Sequence, residues 1–144
     1  MIELEAPLTQ STIAAVVSLY GTSFDDHTWT ELPNRLATRD GLVAWLAYRG
    51  DALVGFKLGY PSGDEVFYSW LGGVEPAHRR KGIATDLMTA QHRWCAEQGY
   101  MRVWTRSLVR YEAMVSLNLA FGFMITNRCE ERGQRAIYFE MQLT

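Results

Sequence analysis

The sequence predicts an α/β protein of three layers, in which helices flank a mixed, mostly antiparallel sheet with a central parallel strand pair. Three observations lead to this prediction. Apolar runs between residues 42 and 74 are separated by short turns, which is typical of an antiparallel meander. An amphipathic segment joins this meander to another apolar run near residue 103, which predicts a right-handed crossover and a parallel pair. Alternation near the C-terminus predicts a final hairpin.

The first forty residues predict one short strand and two helices. Ile2 to Glu5 alternates apolar and acidic residues, as a strand with one buried face does. Thr9 to Tyr20 has apolar residues at helical spacing, and Thr9 or Ser11 is available to cap this helix. A second short helix is predicted over Thr30 to Thr38.

The meander comprises three predicted strands. Leu42 to Arg49 and Ala52 to Tyr60 flank Gly50-Asp51, which indicates a hairpin with a tight turn. Glu65 to Val74 forms the third strand. Gly72-Gly73 near its end indicates a bulge or a close backbone approach. The aromatic side chains of the meander are expected to lie mostly in the core, with any that face a cleft lining an acceptor pocket.

The remaining chain predicts two helices, one strand and a terminal hairpin. In order these are a helix from Lys81 to Gln98, a strand from Met101 to Thr105, a helix from Tyr111 to Phe121, and strands from Phe123 to Glu131 and from Arg135 to Leu143. Cys95 falls on the apolar face of its helix and is expected to be a packing residue, whereas His92 is expected on the solvent face.

Composition limits the function classes. The 144 residues are expected to form a single domain spanning 1–144, and the net charge of −2 argues against a nucleic-acid-binding surface. No apolar run has the length of a membrane span, and no metal-binding motif is present. Cys95 and Cys129 are expected to be free thiols of a cytoplasmic protein.

A basic turn between the third meander strand and the long helix is the strongest functional signal. His78, Arg79, Arg80 and Lys81 precede Gly82, at the point where a helix is predicted to begin. Unpaired backbone N–H groups at a helix N-terminus attract anions, and the neighbouring cations favour a phosphate or pyrophosphate. The plainer interpretation is a solvated basic turn, and a nucleic-acid contact is a third.

Two segments carry a resemblance to a known family. The motif Arg79-x-x-Gly82-x-Ala84 resembles the acyl-CoA-binding signature, Gln/Arg-x-x-Gly-x-Gly/Ala, of the GNAT superfamily of N-acyltransferases. A second segment is similar to a pattern found in one branch of the superfamily. The matching residues are Thr105, Ser107, Tyr111, Met114, Leu117, Asn118, Gly122 and Phe123. The departure is Val109, where the branch usually has Asn.

The resemblance implies a GNAT-like α/β/α fold whose sheet splays at the central parallel pair. It implies acetyl-CoA as co-substrate and direct attack by the primary amine of a small molecule or peptide. A non-catalytic module that binds acyl-CoA is the alternative. Homodimers are common in the family, and neither a nucleic acid nor a membrane is an expected partner. The cofactor-binding residues that it implies are Gly73, Val74, Arg79, Arg80, Lys81, Gly82, Ile83, Ala84, Thr85 and Asn118.

Catalytic roles follow from the same resemblance. The backbone N–H of Val74, freed by the bulge, is expected to polarise the thioester carbonyl. Glu75 is the first candidate base, although it can equally be a solvated carboxylate, and Glu65 or Tyr68 are alternatives. Asn118 stands where much of the family has a Tyr, and an amide can donate a hydrogen bond but not protonate the thiolate. Tyr111 is expected to pack or to contact substrate.

The loop before the second helix is a candidate acceptor-binding segment. In the family, the first two helices and their joining loop help to form the acceptor cleft, so Asp25, Asp26, His27 and Trp29 are candidates to contact substrate. Their alternative role is as ordinary loop residues.

Overall fold

The structure, a computed structural model, describes residues 1–23 and 30–143, in which seven strands form one sheet. The strands are β1 (Ile2–Glu5), β2 (Val43–Arg49), β3 (Ala52–Pro61), β4 (Val66–Val74), β5 (Arg102–Leu108), β6 (Met124–Glu131) and β7 (Gln134–Gln142). The helices are α1 (Gln10–Ser23), α2 (Leu32–Thr38), α3 (Ile83–Glu97) and α4 (Glu112–Ala120), and a 3-10 turn spans Pro76–His78.

The sheet order is β1-β2-β3-β4-β5-β7-β6. Strands β4 and β5 are parallel and are joined by the α3 crossover, whereas the other neighbouring pairs are antiparallel. This arrangement confirms the predicted α/β fold with a mixed, mostly antiparallel sheet and a central parallel pair.

Helices cover both faces of the sheet and bury two apolar clusters. On one face Leu87, Met88 and Cys95 of α3 pack over Trp45, Phe67, Val103 and Phe139 of the sheet. On the other face Ile13, Val16 and Leu36 of α1 and α2 pack over Leu46, Phe56 and Leu58. Fully burying one such side chain contributes roughly 1.5–3 kcal/mol. In the described ranges, no helix is long and apolar enough to cross a membrane.

The sheet splays between β4 and β5. Their ladder ends where Ser69 pairs with Thr105, whose Oγ1 donates to the Ser69 carbonyl oxygen at 2.7 Å, although both strands continue beyond this point. The bulge in β4 lies at Trp70, because the β3 register steps from Ser69 directly to Leu71. The prediction of a bulge at Gly72-Gly73 was therefore wrong in position.

The other interpretation of this glycine pair, a close backbone approach, is not borne out at Gly72. A Cβ there would lie 3.4 Å from the Phe56 carbonyl oxygen and 3.7 Å from Lys57 Nζ, which are ordinary van der Waals distances. Gly72 therefore has room for a small side chain beside β3.

Three further details of α1 and α3 can be compared with the predictions. Thr9 Oγ1 accepts the Thr12 N–H at 3.1 Å, which confirms the predicted cap of α1. Cys95 is fully buried, as expected of a packing residue, and burial raises the pKa of its thiol to about 12. His92 was wrongly placed on the solvent face. It is 8% exposed, because the rings of Phe121 and Phe123 close over it.

Candidate active site

The basic turn leads directly into α3. The helix begins at Ile83, two residues later than predicted, because its N-cap Gly82 has a left-handed φ of +82°. The first helical bond runs from the Asp86 N–H to the Gly82 carbonyl oxygen, so the N–H groups of residues 83–85 have no acceptor within the helix. No side chain caps this end in the described structure. The arrangement suits an anion.

Arg80 in the same turn has a φ of +63°, which is uncommon for a residue with a side chain. Such a conformation costs on the order of 1–3 kcal/mol and is found most often at functional sites. Arg79 extends towards β4, where its Nε donates to the Val74 carbonyl oxygen at 3.1 Å. Two arginines of the turn thus lie beside the first turn of α3.

The end of β4 presents backbone groups to the gap between β4 and β5. Because the Glu75 N–H donates to the Val54 carbonyl oxygen at 2.8 Å, the adjacent pair of Val74 and Gly55 is not hydrogen-bonded. The Val74 N–H therefore points away from β3 and into the gap. The Gly72 N–H also points into the gap, because N–H groups two residues apart on a strand point the same way. These N–H groups are free because β4 and β5 separate beyond Ser69, and not because a bulge lies beside them.

A cavity of about 540 Å³, hereafter the larger cavity, lies over this gap. The basic turn, the start of α3, the end of β4 and the start of α4 form its walls. Its lining residues are Phe56, Lys57, Gly72, Gly73, Val74, His78, Arg79, Arg80, Gly82, Ile83, Ala84, Thr85, Leu87, Tyr111, Glu112, Ala113, Met114 and Leu117. The volume is in the range of small-molecule sites.

Eight of the ten residues predicted to bind the cofactor line the larger cavity. They are Gly73, Val74, Arg79, Arg80, Gly82, Ile83, Ala84 and Thr85. Lys81 lies in the basic turn but, like Glu75 and Asn118, is not among the residues that line this cavity.

Asn118 is buried away from the cavity, at 2% exposure. Its Nδ2 donates to Ser107 Oγ at 3.2 Å, which ties α4 to β5. The side chain thus holds the helix in place.

The candidate bases occupy different environments. The Glu75 carboxylate pairs with His78 Nδ1, and both side chains are partly exposed. Glu65 does not line the larger cavity, and its carbonyl oxygen accepts the Met101 N–H at 2.7 Å. Burial, followed by repulsion from Tyr60, raises the pKa of Tyr68 to about 12. Tyr68 is therefore a hydrogen-bond donor, not a base, at neutral pH.

A smaller cavity of about 190 Å³ adjoins the larger one. The two share Gly72, Tyr111 and Met114 in their walls. The other residues of the smaller cavity are Tyr20, Leu32, Arg35, Tyr68, Trp70, Leu71, Arg106, Ser107 and Leu108. The candidate acceptor residues Asp25, Asp26, His27 and Trp29 lie outside the described residues.

Arg106 is fixed in the wall of the smaller cavity by Glu131. The carboxylate accepts hydrogen bonds from Arg106 Nε and from Tyr138 Oη, each at 2.5 Å. The bond from Tyr138, and then that from Arg106, hold the pKa of Glu131 below its ordinary value. This carboxylate therefore remains charged and orients the guanidinium.

Sequence reasoning missed Lys57 altogether. It lies on β3 at 7% exposure, opposite Gly72, and lines the larger cavity. Burial lowers the pKa of its ammonium group to about 8. The available signal was a lysine inside an apolar strand, in a chain whose only other lysine is Lys81. Tyr111, expected only to pack or to contact substrate, lies in the walls of both cavities.

Comparison with known proteins agrees with this geometry. The model of the Acetyltransferase (GNAT) family matches residues 11–123. No curated protein sequence matches the chain.

Several solved structures have the same fold. The ribosomal-protein-S18-alanine N-acetyltransferase from Escherichia coli superposes with a TM-score of 0.83 at 13% identity, over 100% of this chain and 95% of that one. Aminoglycoside 6'-acetyltransferase type Ii superposes with a TM-score of 0.82 at 16% sequence identity, over 100% of this chain and 97% of that one. The Salmonella typhimurium protein yncA, whose structure was determined with its cofactor acetyl-CoA, superposes with a TM-score of 0.78 at 16% sequence identity, over 99% of this chain and 94% of that one.

Proposed function

Because the chain belongs to the GNAT family of acetyltransferases, we propose that it transfers an acetyl group from acetyl-CoA to a primary amine of a small molecule or peptide. The observation that carries this proposal is a pair of cavities that meet at Gly72, Tyr111 and Met114. A donor in the larger cavity and an acceptor in the smaller one would meet there. The free thiols Cys95 and Cys129 support a cytoplasmic location.

The larger cavity is assigned to acetyl-CoA. The pyrophosphate would bind the free N–H groups at the start of α3, with Arg79, Arg80 and Lys81 supplying positive charge. Gly82 leaves room for it, because a Cβ there would meet nothing within 4 Å. The pantetheine arm would pair with the backbone of Gly73 and Val74 in the gap, as an added strand does. The acetyl-CoA bound to yncA supports this assignment.

The chemistry is direct attack of the amine on the thioester carbonyl. Of the two N–H groups that face the gap, we assign polarisation of the carbonyl to Gly72, which lies where the cavities meet, and leave Val74 to the pantetheine arm. Glu75 remains the proposed base, and because it lines neither cavity the proton would reach it through water. Asn118 has a supporting role, since its amide is bonded to Ser107.

The test is release of CoA from acetyl-CoA in the presence of candidate amines. The names of two proteins with similar folds suggest the first acceptors to try, which are a peptide that begins with alanine and an aminoglycoside. We expect CoA release that depends on at least one amine and saturates with it. Tight binding of acetyl-CoA without release for any amine would favour the non-catalytic module instead.

A further inference from the structure

We propose that Lys57 donates the proton that the sulfur of CoA receives when it leaves the acetyl group. The inference rests on the proposed function, and it names a catalytic residue that neither the motif nor the fold indicates.

Lys57 lies close to the point where the two cavities meet. Lys57 and Gly72 are partners across β3 and β4, and a Cβ at Gly72 would lie 3.7 Å from Lys57 Nζ. The ammonium group therefore lies beside β4, and Lys57 forms part of the wall of the larger cavity. Gly72 belongs to both cavities. The Lys57 ammonium is therefore beside the point where the thioester of a bound donor would meet an acceptor.

Lys57 is a buried cation without an ion-pair partner in the described structure. A buried cation is costly unless an anion accompanies it. Of the described residues that line the cavity, Glu112 at the start of α4 is the one carboxylate. His92 of α3 supplies no anion, because burial, and then the charge of Lys57, lower the pKa of its ring to about 4 and leave it neutral. No carboxylate is paired with Lys57 in the described structure, and a thiolate formed in the cavity would supply that partner.

The position that usually holds the proton donor in the family is occupied by an amide in this chain. Asn118 cannot protonate a thiolate, and its Nδ2 is engaged by Ser107. The Lys57 pKa of about 8 is close to the ordinary value of a thiol, roughly 8.5, so proton transfer between the two groups is nearly balanced. Tyr111 is another residue of the cavity wall with an acidic proton, and its hydroxyl accepts a hydrogen bond from Arg110 Nη2 at 2.9 Å.

The step balances without a further reactant. The amine nitrogen forms a bond to the carbonyl carbon, and the C–S bond then breaks with its electron pair on sulfur. Lys57 gives its proton to that sulfur and becomes a neutral amine. The nitrogen of the product loses one proton through water to Glu75, Glu75 releases it to solvent, and water returns a proton to Lys57. The net products are the acetylated amine and CoA in its thiol form.

The experiment measures the pKa of the thiol of bound CoA by ultraviolet absorbance of the thiolate. It is combined with calorimetric affinities for CoA and for desulfo-CoA, which lacks the sulfur. For the wild-type chain we expect the bound thiol pKa to fall by about one unit, and CoA to bind about tenfold more tightly than desulfo-CoA above that pKa. Neither measurement requires knowledge of the acceptor.

Lys57→Met should abolish both effects, and a thermal unfolding curve checks that the variant is folded. Lys81→Met is the matched control, because it removes the only other lysine. It should weaken CoA and desulfo-CoA equally and leave the thiol pKa lowered. Lys57→Arg retains a charge but cannot give up its proton, so it should keep the preference for CoA while its kcat is lower than that of the wild-type chain and no longer changes near pH 8.

Two results would overturn the proposal. One is an unshifted thiol pKa for CoA bound to the wild-type chain, and the other is an undiminished shift in Lys57→Met. A shift lost in Tyr111→Phe and retained in Lys57→Met would transfer the role to Tyr111. Failure of the wild-type chain to bind either ligand would instead contradict the proposed function itself, so the two failures are distinguishable.

Discussion

Gly82 combines two requirements at one residue. Its φ of +82° is a conformation that residues with a side chain rarely adopt, and the space beside it opens into the larger cavity. A substitution there has a conformational cost and also fills the proposed pyrophosphate site. The two consequences can be separated, because Gly133 in the β6–β7 turn has a similar φ of +78° and does not line the cavity.

We predict that Gly82→Val lowers the affinity for acetyl-CoA at least a hundredfold, because a branched side chain would occupy the site of the pyrophosphate. Calorimetric titration of the folded variant measures the change. Gly133→Val is the control and should bind acetyl-CoA normally, although both variants lose about 1–2 kcal/mol of stability from the left-handed φ. Unchanged affinity in Gly82→Val would be inconsistent with the proposed pyrophosphate site.

His92 makes stability depend on pH. Its ring is buried, and its Nε2 has no hydrogen-bond partner among the described residues. Burial, and then the charge of Lys57, lower its pKa from 6.5 to about 4. Between these values the unfolded chain binds more protons than the folded one. Keeping the buried His92 ring neutral therefore costs no stability above pH 6.5. The free energy of unfolding then falls as the pH drops from 6.5 towards 4.

We predict that the wild-type chain loses about 2 kcal/mol more than His92→Leu when the pH is lowered from 7 to 5. Leucine does not titrate and suits the contact with Phe121 and Phe123. Urea unfolding at the two pH values gives the four free energies. An equal loss in both proteins would show that His92 does not carry the pH dependence.

At the scale of elements, the β3–β4 pair sets the geometry of the site. The bulge at Trp70 and the end of the β4–β5 ladder at Ser69 occur together, and the gap opens beyond them. Gly59 of β3 lies at this step. A Cβ there would be 2.3 Å from the Phe67 ring and 2.6 Å from the Tyr68 carbonyl oxygen, which no side-chain rotation relieves.

We predict that Gly59→Ala destabilises the protein by about 2–3 kcal/mol, because the strands must separate to admit the methyl group. The matched control is Gly21→Ala in α1, where a Cβ meets nothing within 4 Å. That change should stabilise the chain by up to about 1 kcal/mol. Urea unfolding compares the two variants, and similar free energies of unfolding for them would contradict the packing described at Gly59.

The order and type of the elements could be predicted because their signals are local. The turn at Arg79 to Gly82 and the start of α3 are examples, since the cations, the glycine and the helix are contiguous. The bulge could not be placed, because Trp70 continues a regular alternation and the step depends on Gly59 in another strand. His92 was wrongly assigned for a similar reason, since α4 and the residues after it cover it from a distant part of the chain.

For the molecule as a whole, the splayed sheet is what joins fold to function. Helices on both faces hold the seven strands together, and the gap between β4 and β5 brings the two cavities into contact at Gly72. The residues of the cavity wall that sequence reasoning missed, such as Lys57, reach it only through strand pairing. Their neighbours in space are distant in sequence, so no local motif reports them.

The most direct test of the central claim is a calorimetric titration of the wild-type chain with acetyl-CoA, with ATP as a control for general phosphate binding. We predict saturable binding at one site per chain and a clear preference for acetyl-CoA over ATP. No binding at a ligand concentration of about 1 mM, which corresponds to roughly −4 kcal/mol, would contradict the assignment of the larger cavity to acetyl-CoA.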